Sequence, residues 1–230
     1  MLGTLKLQQR LRSLADRWQM TRAELLFSVF LVFSFVSGIQ AHVMPSVYPL
    51  TQSITDALLL VVCAPLLWLS YARGRDQRLW IWAVITYACT FFIEVAGVAT
   101  GAIFGAYAYG PTMWIQWLEV PLIIAVNWTL LIMAMSQLAT RFTQSPWLLA
   151  LLTGVFIMIY DYFIEPVAIR LDYWTWAAVD IPLQNYLAWG VIAMVLSYPL
   201  HRLQIRYQNP ALLVYAAAQL VFFVGLQILL

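Results

Sequence analysis

Glu119–Leu138 reads E-V-P-L-I-I-A-V-N-W-T-L-L-I-M-A-M-S-Q-L, with its one charge at the first position. A helix of that length rises roughly 30 Å, the thickness of a bilayer's hydrocarbon core. Six more runs of the same kind surround it, at about Glu24–Val43, Ile54–Ala72, Leu79–Gly97, Trp147–Ile169, Pro182–His201 and Ala211–Leu230. Of the 230 residues 63% are hydrophobic and 10% charged, too few charges to cover a soluble surface. The expectation is an all-α integral membrane protein, a bundle of about seven transmembrane helices. A net charge of +2, thinly spread, gives no nucleic-acid surface.

The loops supply an independent test of the count. With the N-terminus in the cytoplasm, the inner segments carry five N-terminal bases, then Arg73, Arg75 and Arg78, then Arg141, then Arg202 and Arg206. Arg170 alone falls outside, as the positive-inside rule asks. A missed span would scramble that alternation. The stretch before the first span places Leu7, Leu11, Leu14 and Trp18 at helical spacing, with bases on the other faces. Residues 1–23 therefore read as a retained basic amphipathic helix on the membrane surface, and 24–230 as a single transmembrane domain. Such a chain is expected to be a multi-pass protein of the cell membrane. Cys63 and Cys89 fall in apolar runs and read as small buried hydrophobes.

The acids are unevenly spread. Ionisable groups in apolar spans are costly, and they face protein or a water-filled cavity. Glu94 lies near the outer end of the third span, and Glu119 opens the fourth from that side. Asp161 and Glu165 lie four residues apart in the outer half of the fifth, on one helix face. Asp56, Asp172 and Asp180 are placed at or beyond the outer boundary, and the inner halves of the spans are read as free of acid. Asn127 and Asn185 add polar groups to spans four and six. Carboxylates gathered in a low-dielectric site cannot all ionise cheaply, so one keeps a proton and can serve as a general acid. The structural alternative has Glu119 favouring a helix N-terminus, Asp161 or Glu165 paired with Arg170, and the asparagines joining helices.

Several chemistries are excluded. The only lysine is Lys6, outside every span, so a retinal Schiff base has no amine. No phosphate-binding glycine loop, no histidine-rich metal constellation and no paired Asp-rich magnesium motif occurs. His42 and His201 sit near opposite ends of their spans and receive no role. Cofactor-free acid–base chemistry, with no metal, is what remains for an enzyme. The segment from Gly97 to Trp117 extends the third helix, lies in the interface or re-enters the membrane. Gly97, Gly101 and Gly105, four apart, would give a helix a smooth face, and Tyr107, Tyr109, Trp114 and Trp117 an interfacial aromatic belt.

Four segments bring a family into view: F-F-I-E-V-A-G-V-A-T-G-A-I-F-G-A-Y-A-Y-G-P (Phe91–Pro111), V-P-L-I-I-A-V-N-W (Val120–Trp128), D-Y-F-I-E-P-V-A (Asp161–Ala168) and P-L-Q-N-Y-L-A-W-G (Pro182–Gly190). In order, over about the middle half of the chain, they resemble the membrane carotenoid biosynthesis proteins of the CruF type. That family includes the carotenoid 1,2-hydratases and the bisanhydrobacterioruberin hydratases. The resemblance implies addition of water to the terminal double bond of an acyclic carotenoid, with lycopene, gamma-carotene or a bisanhydrobacterioruberin-like molecule as substrate. Protonation would give a tertiary carbocation that water captures. Glu94, Asp161 or Glu165 would donate the proton, and a second carboxylate would handle the water. Glu119, Asn127 and Asn185 would line the substrate site. Tyr107, Trp174 and Trp176 would offer aromatic faces to the cation, or else serve as interfacial anchors. End-group cyclisation begins with the same protonation and stays open, as do a transporter and a non-catalytic assembly partner.

Overall fold

A computed structural model describes residues 18–230. Most of the expected surface helix at residues 1–23 lies outside the described residues; Arg22 and Ala23 already belong to the first membrane helix. Seven helices run through the described residues: α1 (Arg22–Val43), α2 (Tyr48–Gly74), α3 (Arg78–Thr100), α4 (Leu122–Ala139), α5 (Pro146–Arg170), α6 (Leu183–Arg202) and α7 (Pro210–Leu229). Each matches an expected span, with ends shifted by a few residues. All but α6 are long and apolar enough to cross a membrane. The lower hydropathy of α6 comes from its inner face, where Asn185, Trp189, Ser197 and His201 are buried. Its outer stripe of Leu187, Val191 and Val195 is exposed and apolar, as on its neighbours. The chain is a multi-pass helical membrane protein.

The bases gather at one end of the bundle. Arg73 at the foot of α2 bonds Glu24 in the first turn of α1, at 2.8 Å. Thr21 and Glu24 also form a capping box that satisfies the first N–H groups of α1. Asp76 accepts from Arg78 at 2.7 Å and from the Arg206 N–H at 3.2 Å, and Arg78 donates to the Leu203 carbonyl at 3.0 Å. This arginine end is therefore not free of acid, contrary to expectation: Glu24 and Asp76 are both buried there. Each has an arginine partner, so neither is an uncompensated charge.

The opposite end carries the departures from a purely helical fold. The segment expected as a glycine-faced helix instead stops: α3 ends at Thr100, and Gly101 takes a left-handed φ of 62° as its C-cap, donating to Gly97 O. Gly101 and Gly105 therefore serve turns, while Gly97 leaves room for the Phe104 ring, which a Cβ would meet at 2.5 Å. The chain then forms strand β1 (Tyr107–Tyr109). After a second short pair, β2 (Gln116–Trp117) with β3 (Val120–Pro121), it enters α4. β1 pairs antiparallel with β4 (Trp174–Trp176), in the loop between α5 and α6. Gly110 N–H to Tyr173 O and Ala177 N–H to Ala106 O extend this ribbon at both ends.

The ribbon joins two loops far apart in sequence and carries an aromatic ring at each alternate position. Opposite the arginines, then, the bundle ends in a cap of rings. Beneath it, α5 and α6 approach very closely, since a Cβ on Gly154 would lie 2.4 Å from Gly190 O. Asp161 and Glu165 follow Gly154 by two and three helical periods, so all three share the face turned to α6.

Candidate functional site

Asn185 stands in the first turn of α6 and is buried. Its side-chain nitrogen donates both hydrogens: to Asp161 Oδ2 at 2.7 Å and to Glu165 Oε1 at 2.9 Å. The other oxygen of Glu165, Oε2, accepts from the indole N–H groups of Trp174 (2.9 Å) and Trp176 (3.0 Å) on β4. Glu165 thus receives three N–H donors and Asp161 one. Hydrogen bonds to a charged acceptor contribute about 1.5–3 kcal/mol each, so this arrangement organises the end of the bundle as well as any chemistry. Pro166, directly after Glu165, deletes one backbone N–H donor in the turn that carries both acids. No arginine, lysine or histidine pairs with either acid among the described residues, so the alternative pairing with Arg170 is not formed.

Glu94, near the end of α3, accepts from the Tyr107 hydroxyl on β1. Tyr109 packs edge-on against Tyr107, ring centroids 5.6 Å apart, and Tyr107 lies 5.1 Å from Trp176. Burial first, and then the neighbouring Glu94, push the phenols of Tyr107 and Tyr109 above their ordinary range, so both are neutral O–H donors.

Asp161, Glu165, Asn185, Tyr107, Trp174 and Trp176 all line one cavity, with room for water-sized molecules of about 110 Å³. Asn127 lines it too, from α4, with Oδ1 accepting from Gln219 Nε2 at 3.1 Å and from the Tyr215 hydroxyl. Tyr160 in turn donates to Gln219 Oε1 at 2.9 Å. On another part of the wall the indoles of Trp128 and Trp189 stack at 3.5 Å, with Phe104 beyond at 5.2 Å.

Two of the expected site residues stand elsewhere. Glu94 is not on the cavity wall and meets it through the phenol of Tyr107. Glu119 is exposed in the turn between β2 and β3, where Leu118 and Glu119 both take positive φ (51° and 64°) and begin no helix. It lines no part of the cavity and makes no hydrogen bond to the buried cluster. Asp56, expected at the boundary, is buried on α2 and accepts from the Ile115 N–H at 3.1 Å. Trp114 and Trp117 are exposed, as belt residues would be, whereas Tyr107 and Tyr109 turn inward to the cavity.

Sequence reasoning missed Trp128, Trp189, Gln219 and His42, all on the cavity wall. Inside apolar runs the two tryptophans and His42 carry no local signal, whereas Gln219 is a polar residue in such a run, as Asn185 is. Tyr109 was visible only as an anchor, yet Y-A-Y and W-T-W alternate with period two, the mark of paired strands. Among the described residues no three His, Cys, Asp or Glu side chains are grouped to hold a metal ion.

Neither the curated proteins nor the solved structures compared with this chain gave a match. The family model described as "Carotenoid biosynthesis protein" matches residues 54–230, from early in α2 to the last residue, and so spans the ribbon, every acid of the cluster and all of the cavity wall but the part from α1. With more than half of its length matched, the chain belongs to the carotenoid biosynthesis protein family.

Proposed function

We propose that the protein is a cofactor-independent hydratase of acyclic carotenoid end groups, working from the cell membrane with its N-terminus and arginine end in the cytoplasm. The observation that carries this reading is the pair Asp161 and Glu165, bridged by one Asn185 nitrogen on a cavity wall rich in aromatic rings and paired with no basic side chain among the described residues. Three N–H donors favour the charged form of Glu165, which leaves Asp161, with one donor, as the group that holds and gives the proton.

In this mechanism Asp161 transfers its proton to the less substituted carbon of the terminal trisubstituted alkene. The π electrons form the new C–H bond and leave a tertiary cation. The faces of Tyr107, Trp174 and Trp176 stabilise that charge without being able to trap it covalently as a carboxylate would. Water attacks the cation, and Glu165 takes the proton released as the C–O bond forms. The proton returns to Asp161 across the short Asn185-bridged gap, and the pair is reset with no net charge change. Glu94 acts in this scheme as a positioning residue, fixing the Tyr107 ring through its hydroxyl. Asn127 and Gln219 favour hydration over cyclisation, because their amides give the cavity a place to hold water. A wholly aromatic wall would suit ring closure.

Expression in a bacterium that makes lycopene or gamma-carotene tests the proposal. A more polar pigment heavier by one water is expected. A pigment of unchanged mass would replace the reading with cyclisation. An unchanged pigment pool, with the protein present in the membrane, would leave a transporter or assembly partner.

A further inference from the structure

The cavity has one wall unlike the others. At the seam between α1 and α2 it is bounded by Phe35 and Gly38 on one side and by Thr55, Leu58 and Val62 on the other. Leu58 is 40% exposed and is the one exposed residue among those that line the cavity. The wall is most open at that point.

The seam is fastened only at its ends. Arg73 holds Glu24 at 2.8 Å at the arginine end. At the ribbon end His42 packs against Tyr48, ring centroids 6.0 Å apart. Between those points no hydrogen bond joins α1 to α2 among the described residues. α1 packs instead on α7, with Phe35 against Phe222 at 5.9 Å and Ile39 over Gly225. The family match begins at residue 54 and does not include α1.

An extended acyclic carotenoid is about as long as the hydrocarbon core is thick, roughly 30 Å, and a cavity of about 110 Å³ holds no more than a terminal fragment of it. The remainder must leave the protein through a gap that is apolar and level with the lipid. We infer that the seam between α1 and α2 is that gap: an acyclic isoprenoid chain enters end-first from the bilayer past Leu58, and only its terminal unit reaches Asp161 and Glu165. This rests on the carotenoid reading above and adds the route and its consequence. A chain inserted end-first presents one terminus per visit, so a substrate with two reactive ends is released after the first addition and must turn round in the membrane for the second.

The test uses the full chain with Cys89→Ser, leaving the buried Cys63, and a single new thiol at Leu58→Cys or at Leu60→Cys. Leu60 is 55% exposed on another face of α2 and does not line the cavity. Each purified protein is labelled with a bulky maleimide after folding, then given lycopene; co-eluting pigment and the rate of product formation are both read. Label at position 58 is expected to lower both at least tenfold relative to the same protein without label, and label at 60 to change neither. Unlabelled protein should release singly converted lycopene before the doubly converted product appears. Equal binding and rate with label at 58 would overturn the route while leaving the carotenoid reading in place. Direct formation of the doubly converted product would overturn end-first insertion. Unmodified protein that neither retains nor converts pigment would overturn both.

Discussion

The two ends of the bundle bury acids in opposite ways. At the arginine end Glu24 and Asp76 each face a guanidinium, at 2.8 and 2.7 Å. At the ribbon end Asp161, Glu165 and Glu94 face only neutral donors: an amide, two indoles and a phenol. A carboxylate beside an arginine stays ionised throughout the useful pH range, which suits a structural tie. A carboxylate held by neutral N–H and O–H groups has no fixed countercharge, so a proton can arrive or leave without breaking an ion pair. The contrast teaches that burial alone does not separate a structural tie from an acid free to exchange a proton. What the acid is buried against does.

The sharpest way to break this comparison is Asp161→Asn. If Asp161 supplies the proton, turnover falls by about 10³-fold or more while the protein still inserts and folds, measured as product per unit of membrane protein. Near-normal turnover would remove the ribbon end's claim to chemistry. Glu165→Gln comes next. Both of its oxygens accept, so the new NH₂ must point at Asn185 or at the indoles; turnover should drop about 10²-fold, with a loss of stability of about 1–3 kcal/mol in a thermal melt.

Glu94 sits on the boundary between the two kinds of acid. Acting through Tyr107, Glu94→Gln and Tyr107→Phe should each slow turnover about tenfold, and the double variant no further, because the two share one interaction. A loss with Glu94→Gln as deep as with Asp161→Asn would make Glu94 a proton donor after all. The smallest effects belong to the arginine end and to the exposed turn. Arg78→Ala and Glu119→Ala should change turnover by less than about twofold.

The hydrogen bond from Arg78 holds the Asp76 carboxyl well below its ordinary range. Its folded value is depressed relative to the unfolded chain. The stability it contributes is therefore complete above about pH 4, and is lost as the pH falls from there toward the folded value. Melting temperatures of the parent and of Asp76→Asn should differ by a constant amount from pH 5 to 8 and converge only in stronger acid. A gap that changed between pH 5 and 8 would show that this end too is tuned to titrate.

The helical part of this picture was legible because each span repeats one message over some twenty residues. Length and hydropathy place α1 to α7 even where the inner face of α6 dilutes the signal. The pair Asp161 and Glu165 was legible by its spacing of four, and Asn185 by being a polar residue in an apolar run. The ribbon was not. Three glycines at intervals of four look like a helix face, and only the backbone shows that Gly101 turns the chain at positive φ. Pairing of β1 with β4 joins residues 65 to 69 positions apart, a distance over which local pattern carries no register. Glu119 was misplaced for a related reason: its proximity to an apolar run hid the two-residue turn that sets it outside α4. Which acids would touch the cavity depended on that ribbon, so the roles of Glu94 and Tyr107 waited on the fold.

The position of the ribbon also has a consequence for how the chain is made. Synthesis delivers Asp161 and Glu165 on α5 before Trp174, Trp176 and Asn185 exist. For the time it takes to add those twenty residues, two acids sit in a segment bound for lipid with none of their eventual partners. α5 is apolar enough to cross a membrane, but only the arrival of α6 and the loop before it gives both acids their N–H donors. The hairpin is thus the unit that should leave the insertion machinery, and a pause between Glu165 and Asn185 is where biogenesis of this protein is most easily lost.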